Sequence, residues 1–81
     1  MVKYEAKGWL TMTYGEALRQ ILRESHMSQA ELARAIGKSN SYVSQLCKGK
    51  VREPSVSLAF SIADALGTNV QTFLDLMHSN E

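Results

Sequence analysis

Residues 27–50, MSQAELARAIGKSNSYVSQLCKGK, hold two helix patterns separated by a glycine, and their reading decides the fold of the whole chain. Ser28-Gln29-Ala30-Glu31 is a capping-box pattern: the serine hydroxyl meets an orphan amide of the first turn and the glutamate reaches back to the cap amide. Met27, just ahead of the cap, is placed to pack on Leu32 as a hydrophobic staple. Leu32, Ala33 and Ile36 form a buried stripe, and Gly37 suits the point where a chain leaves a helix through the left-handed conformation. Ser39 then offers a cap for a second helix, whose apolar positions are only Val43, Leu46 and Cys47. Asn40, Ser41, Tyr42, Ser44, Gln45 and Lys48 are polar or amphipathic, so most of this helix is predicted to lie outside the core before Gly49 closes it.

The flanking sequence repeats the same grammar. Thr13-Tyr14-Gly15-Glu16 is another capping box, followed by Ala17, Leu18, Ile21 and Leu22 on one helical face, with Arg19, Gln20, Arg23 and Glu24 opposite. That helix is predicted to end near Ser25. After the basic loop Lys50-Val51-Arg52-Glu53-Pro54, Ser55 caps a fourth helix with Val56, Ala59, Ile62, Ala63 and Leu66 inward, stopped at Gly67. Asn69 caps a fifth, with Val70, Phe73, Leu74 and Met77 on one side. No alternating pattern is long enough for a sheet, so the expectation is an all-α, compact five-helix domain over residues 13–81 with an N-terminal arm over residues 1–12. Tyr4, Trp9 and Leu10 could dock that arm on the body or pair it with a second chain.

Composition narrows the function classes. A chain of 81 residues buries only about 60% of its unfolded surface and has room for one small core. Its single cysteine, Cys47, excludes an internal disulfide and a cysteine-based zinc site, and His26 and His78 lack metal-ligand spacing. No run of about 18 apolar residues could span a bilayer, and the N-terminus has no signal-peptide core, so a cytoplasmic protein is expected. No cofactor is expected either, and no nucleophile–base pair, carboxylate pair or phosphate loop points to an enzyme. The net charge of +1 is unevenly spread. Residues 28–53 carry Arg34, Lys38, Lys48, Lys50 and Arg52 against Glu31 and Glu53, whereas residues 54–81 carry only Asp64, Asp75 and Glu81. Such polarity suits a middle segment that faces a polyanion.

From Gln29 the segment places Ala33, Gly37, Val43 and Leu46 at the spacing of a helix-turn-helix: a small residue where the helices cross, a glycine turn, and branched apolar anchors on the second helix. With the capped helix before it and the Lys48-Gly49-Lys50 loop, Pro54-Ser55 and two helices after it, the chain resembles the lambda-repressor-like family, also called the Cro/cI or XRE type. The resemblance leaves the first dozen residues outside. It implies a sequence-specific regulator of transcription, most simply a repressor, that binds double-stranded DNA with helix 39–48 in the major groove.

It also implies roles for single residues. Asn40, Ser41 and Gln45 would read bases, with Ser44 and Ser39 as further candidates; a bidentate Asn or Gln contact to adenine gives about 1–3 kcal/mol of discrimination. Gln29, at the start of its helix, would meet a phosphate, joined by Tyr42, Lys48, Lys50, Arg52 and Lys38 along the backbone. Plainer readings stand beside these: Ser39 as a cap, Tyr42 as cover for apolar surface, Lys50 and Arg52 as solvated loop charges. Cys47 reads as a small packing residue, with a redox switch as the alternative. One such unit spans few base pairs, so a homodimer on a palindromic operator is expected, through Phe73, Leu74, Leu76 and Met77 of the last helix. With 81 residues taken up by five helices, regulation is expected to come from concentration, proteolysis or a regulatory protein partner. The rival class is an antitoxin or other interaction module whose main partner is a protein.

Overall fold

The computed structural model describes residues 12–78, which form five helices: α1 (Tyr14–Ser25), α2 (Gln29–Ile36), α3 (Asn40–Cys47), α4 (Val56–Ala65) and α5 (Val70–Met77). Each begins at the predicted cap: Thr13, Ser28, Ser39, Ser55 and Asn69 all accept from a backbone amide of their own first turn. Both capping boxes close. The Thr13 amide donates to Glu16 Oε1 at 3.0 Å while the Glu16 amide donates to Thr13 Oγ1 at 3.2 Å; the Ser28 pair does the same at 2.8 and 3.0 Å. Bonding to Ser28 holds the Glu31 carboxyl below its ordinary range, first through the backbone amide. Among the described residues no helix is long and apolar enough to cross a membrane.

The helices touch in a ring: α1 against α3, α3 against α2, α2 against α4, α4 against α5, and α5 back against α1. Leu18, Leu32, Val43, Leu46, Ile62 and Phe73, drawn from all five helices, are the large fully buried side chains at its centre. Tyr14 stacks on Phe73 with ring centroids 4.9 Å apart and planes 12° from parallel, which joins the start of α1 to α5. Met27 and Ile36 pack partly buried against the same core, in keeping with the staple expected at α2.

Two readings of apolar residues need correction. Val56 was expected inward but, at the first position of α4, is 74% exposed, while Leu58, Ile62, Ala63, Ala65 and Leu66 meet the core. Phe60, a turn beyond Val56, is 60% exposed. In α5 Phe73 and Met77 are buried, while Leu74 is 44% exposed. Phe73 and Met77 are therefore not available as dimer contacts, since Phe73 is taken up by Tyr14 and both belong to the domain's own core. Leu76 is half-buried against that core. Residues 1–11, with Tyr4, Trp9 and Leu10, lie outside the described residues.

Helices α1 and α2 end in one hydrogen-bond pattern. The residue after each helix is left-handed, and the amide beyond it donates back to a carbonyl of the last turn: Met27 to Leu22 at 3.1 Å, Lys38 to Ala33 at 2.9 Å. At α2 the left-handed residue is Gly37, φ 72°, but at α1 it is His26, φ 55°. A side chain there costs about 1–2 kcal/mol relative to right-handed backbone. His26→Gly is expected to raise stability by about 0.5–1 kcal/mol, after the larger entropy of glycine in the unfolded chain is deducted, and so to raise Tm by a few degrees. Thermal unfolding of the two proteins checks this; an unchanged or lower Tm would show that the His26 side chain makes compensating contacts.

Candidate nucleic-acid interface

Helix α3 is divided cleanly along its length. Val43, Leu46 and Cys47 are 0%, 2% and 3% exposed, whereas Asn40, Ser41 and Gln45 are exposed and Ser44 is half-buried. Three buried side chains fix the helix against α1 and α2 and leave a face of short amide and hydroxyl groups pointing away. With its side chains a helix is about 10–12 Å across, which matches a major groove about 12 Å wide. The chemistry of that face, donor and acceptor on one amide, is what paired contacts to base edges require.

Ser39 is the cap of α3: its hydroxyl accepts from the Tyr42 amide at 3.0 Å. Tyr42 is half-buried against the core, and the Lys38 ammonium lies 5.7 Å from its ring centroid, a cation over an aromatic face. Tyr42 thus covers apolar surface and orients a lysine at the turn. Lys48, Lys50 and Arg52 are exposed along the segment leaving α3, and Gln29 is half-buried as the first residue of α2. Of the predicted backbone-contacting residues, Lys38 and Tyr42 therefore sit by the start of α3 and Lys48, Lys50 and Arg52 beyond its end. Cys47 is buried, and burial pushes its thiol above the ordinary range, partly offset by the nearby Arg19 charge. A buried, protonated thiol is a packing residue.

Two features of the surroundings were not read from the sequence. Gly15 served there only as part of a capping box, yet it is buried where α1 meets the end of α3. A Cβ added to it would lie 2.5 Å from the Leu46 carbonyl oxygen and 2.6 Å from that of Cys47. The only forewarning was a glycine inside a helical pattern. The second is a cleft of about 200 Å³ beside Gln29, lined by Arg19, Leu22, Arg23 and Met27; its signal was the pair of arginines four apart on the polar face of α1.

The comparisons with known proteins agree with this geometry. A family model described as helix-turn-helix matches residues 18–73. Over 67 residues the chain is 30% identical to the HTH-type transcriptional regulator SinR of Bacillus subtilis, covering 83% of this chain and 60% of SinR, so it spans well under two thirds of that relative's length. A SinR structure in complex with DNA superimposes with a TM-score of 0.71 at 28% identity, covering 78% of this chain and 100% of that one. The clp gene regulator ClgR from Corynebacterium glutamicum gives a TM-score of 0.77 at 33% identity, over 83% of this chain and 70% of its own. The DNA-binding domain of the P22 C2 repressor gives 0.75 at 28% identity, over 82% and 88%.

The close approach at Gly15 yields a direct test of how α3 is held. Helix propensity alone would make Gly15→Ala stabilising by up to about 1 kcal/mol. Because the added methyl meets backbone carbonyls rather than a flexible side chain, overpacking should win, with a net loss of about 1–2 kcal/mol. Chemical denaturation reads the sign: a lower midpoint is expected, and a higher one would mean that α1 and α3 are not in backbone contact.

Proposed function

The chain belongs to the helix-turn-helix family, in its lambda-repressor-like (XRE-type) branch, and on that premise we propose that it is a sequence-specific, double-stranded DNA-binding regulator of transcription. It acts as a repressor in this reading, binding a palindromic operator as a homodimer in the cytoplasm, with no catalytic role. The observation that carries the proposal is the division of α3, buried through Val43, Leu46 and Cys47 and exposed through Asn40, Ser41 and Gln45. In a helix so anchored the outward side chains keep a fixed register, as base reading demands.

The roles follow from chemistry and position. Asn40, Ser41 and Gln45 hydrogen-bond to base edges, with Ser44 and Ser39 at the margin of the same face. Gln29, Tyr42, Lys38, Lys48, Lys50 and Arg52 contact sugar and phosphate, setting where the helix lies without choosing a sequence. The charge balance supports this division, since the basic residues gather in 28–53 and the acidic excess lies beyond. SinR, one of the relatives, has been solved in complex with DNA. No cofactor is required for this mode of binding.

The homodimer is supported by apolar surface that the domain does not bury: Val56 and Phe60 on α4 and Leu74 on α5. Leu76 of α5 is half-buried against the core and adds its remaining exposed edge to the proposed contact. The same surface also fits a second reading, in which a regulatory protein or toxin is the main partner. A second copy is preferred because two reading helices about 34 Å apart give operator-level selectivity that one lacks.

Base readers and phosphate contacts separate in a binding experiment. Asn40→Ala is expected to change the preferred sequence, with about 1–3 kcal/mol of discrimination lost at one base pair. Lys48→Ala should weaken binding to every duplex alike and lower the salt slope by about 1. Titrations of both variants against duplexes that differ at single positions make the distinction; an Asn40→Ala protein with unaltered affinity and preference would remove Asn40 from the reading face.

A further inference from the structure

Another cavity, of about 170 Å³, lies where the start of α1, the end of α3 and the loop leading to α4 come together. Gly15, Leu46, Gly49 and Val51 give it small and apolar walls, and Tyr14 and Glu53 give it polar groups. Tyr14 is 8% exposed, and its buried hydroxyl has no hydrogen-bond partner among the described residues. Leaving a buried hydroxyl unpaired is destabilising, and the stack on Phe73 holds this ring in place. Burial, and after it the neighbouring Tyr42, Glu53 and Cys47, push the phenol above its ordinary range, so it stays neutral. The Glu53 carboxylate makes no ion pair or hydrogen bond among the described residues. It is the charged residue of a lining that includes no basic side chain. The end of α3 adds to this negative character, since the carbonyl oxygens of Leu46 and Cys47 lie against Gly15 there.

We propose that this cavity binds a small primary ammonium ligand, its alkyl chain on Leu46 and Val51 and its nitrogen between the Glu53 carboxylate and the Tyr14 hydroxyl oxygen. An ammonium carries three donors and no acceptor, and both facing groups accept. The space holds about five water-sized groups, the size of a four-carbon amine. A neutral alcohol of that shape lacks the charge that Glu53 selects, and a carboxylic acid is repelled by it. Binding has a consequence outside the cavity, because Glu53 shares its loop with Lys50 and Arg52. Neutralising Glu53 removes a negative charge from the basic segment, so amine and duplex strengthen each other's binding by one common factor. That consequence rests on the DNA-binding reading given above; occupancy of the cavity does not.

The test titrates the full chain with n-butylammonium chloride at constant ionic strength and follows the backbone amides by NMR. Saturable shifts are expected at Gly15, Gly49, Val51 and Glu53, and none with butanol, butyrate or potassium chloride. Tyr14→Phe and Glu53→Gln should each weaken the amine about tenfold, as the loss of a charge-assisted hydrogen bond does. Thermal unfolding supplies a second readout. The amine should raise the Tm of the native protein and not that of either variant, while Tyr14→Phe without amine keeps or raises Tm because it removes the unpaired hydroxyl. No saturable shift with butylammonium, together with a lower Tm for Tyr14→Phe, would assign the cavity to ordered water and overturn the proposal.

Two further results would overturn it: equal shifts with butanol, which mark a site without charge selection, or binding of butylammonium only after Lys3 and Lys7 are replaced by methionine, which makes the chain's own lysine the occupant. The consequence for DNA is read with a duplex carrying the consensus recovered from random sequences. Saturating butylammonium should tighten that duplex about fivefold for the native protein and leave Glu53→Gln unaffected. An unchanged duplex affinity with the cavity occupied would sever the link between the two sites. Failure of the native protein to bind any duplex would instead remove the DNA-binding reading and leave the amine site standing.

Discussion

The backbone of α1 lies directly against the end of α3, and glycine at position 15 is what permits it. The carbonyl oxygens of Leu46 and Cys47 occupy the space that any Cβ at that position would take. Close approach there lets Leu18, Val43 and Leu46 share one core, and it fixes the angle at which α3 presents its other side. Two further supports act on the same helix: the Ser39 cap at its start and α2 packed along it across the Gly37 turn. An eight-residue helix has little stability of its own. Its rigidity comes from these contacts, and its polar face is as well defined as the core beneath it.

The helix starts were legible in the sequence because each is set by local chemistry. A hydroxyl or amide cap, with a glutamate three residues on at Thr13 and Ser28, leaves a pattern that tertiary contacts seldom override. The turn at Gly37 was legible for the same reason. The inward faces of α4 and α5 were less so. Val56 is apolar and in plausible register for the core, and Phe73 and Met77 for a partner, but α4 and α5 are the apolar-rich helices, and composition there does not say which stripe meets the core. Position within the ring decides it: α4 is held by α2 and α5, so Leu58 and Ile62 turn inward and Val56 and Phe60 turn out.

In the candidate site, exposure of Asn40, Ser41 and Gln45 could be foreseen from α3 alone, since three apolar positions can bury only one face. The crossing of α1 over α3 could not, because Gly15 and Leu46, with α2 between them in the chain, are brought together by packing rather than by any local signal. The same holds for the cleft at Gln29. Arg19 and Arg23 look like ordinary solvated charges on an amphipathic helix until α2 is seen to begin beside them. Local patterns specify caps and faces; the meeting of residues far apart in the chain belongs to the packed state.

In the proposed function α3 reads base sequence, and two copies do so together. Selection of random duplexes by the purified chain, followed by sequencing of the bound fraction, tests it most directly. A palindromic consensus is expected, with half-sites one helical turn apart, about 34 Å between centres. Salt-sensitive binding that enriches no sequence, or no retention of duplex at all, would contradict it.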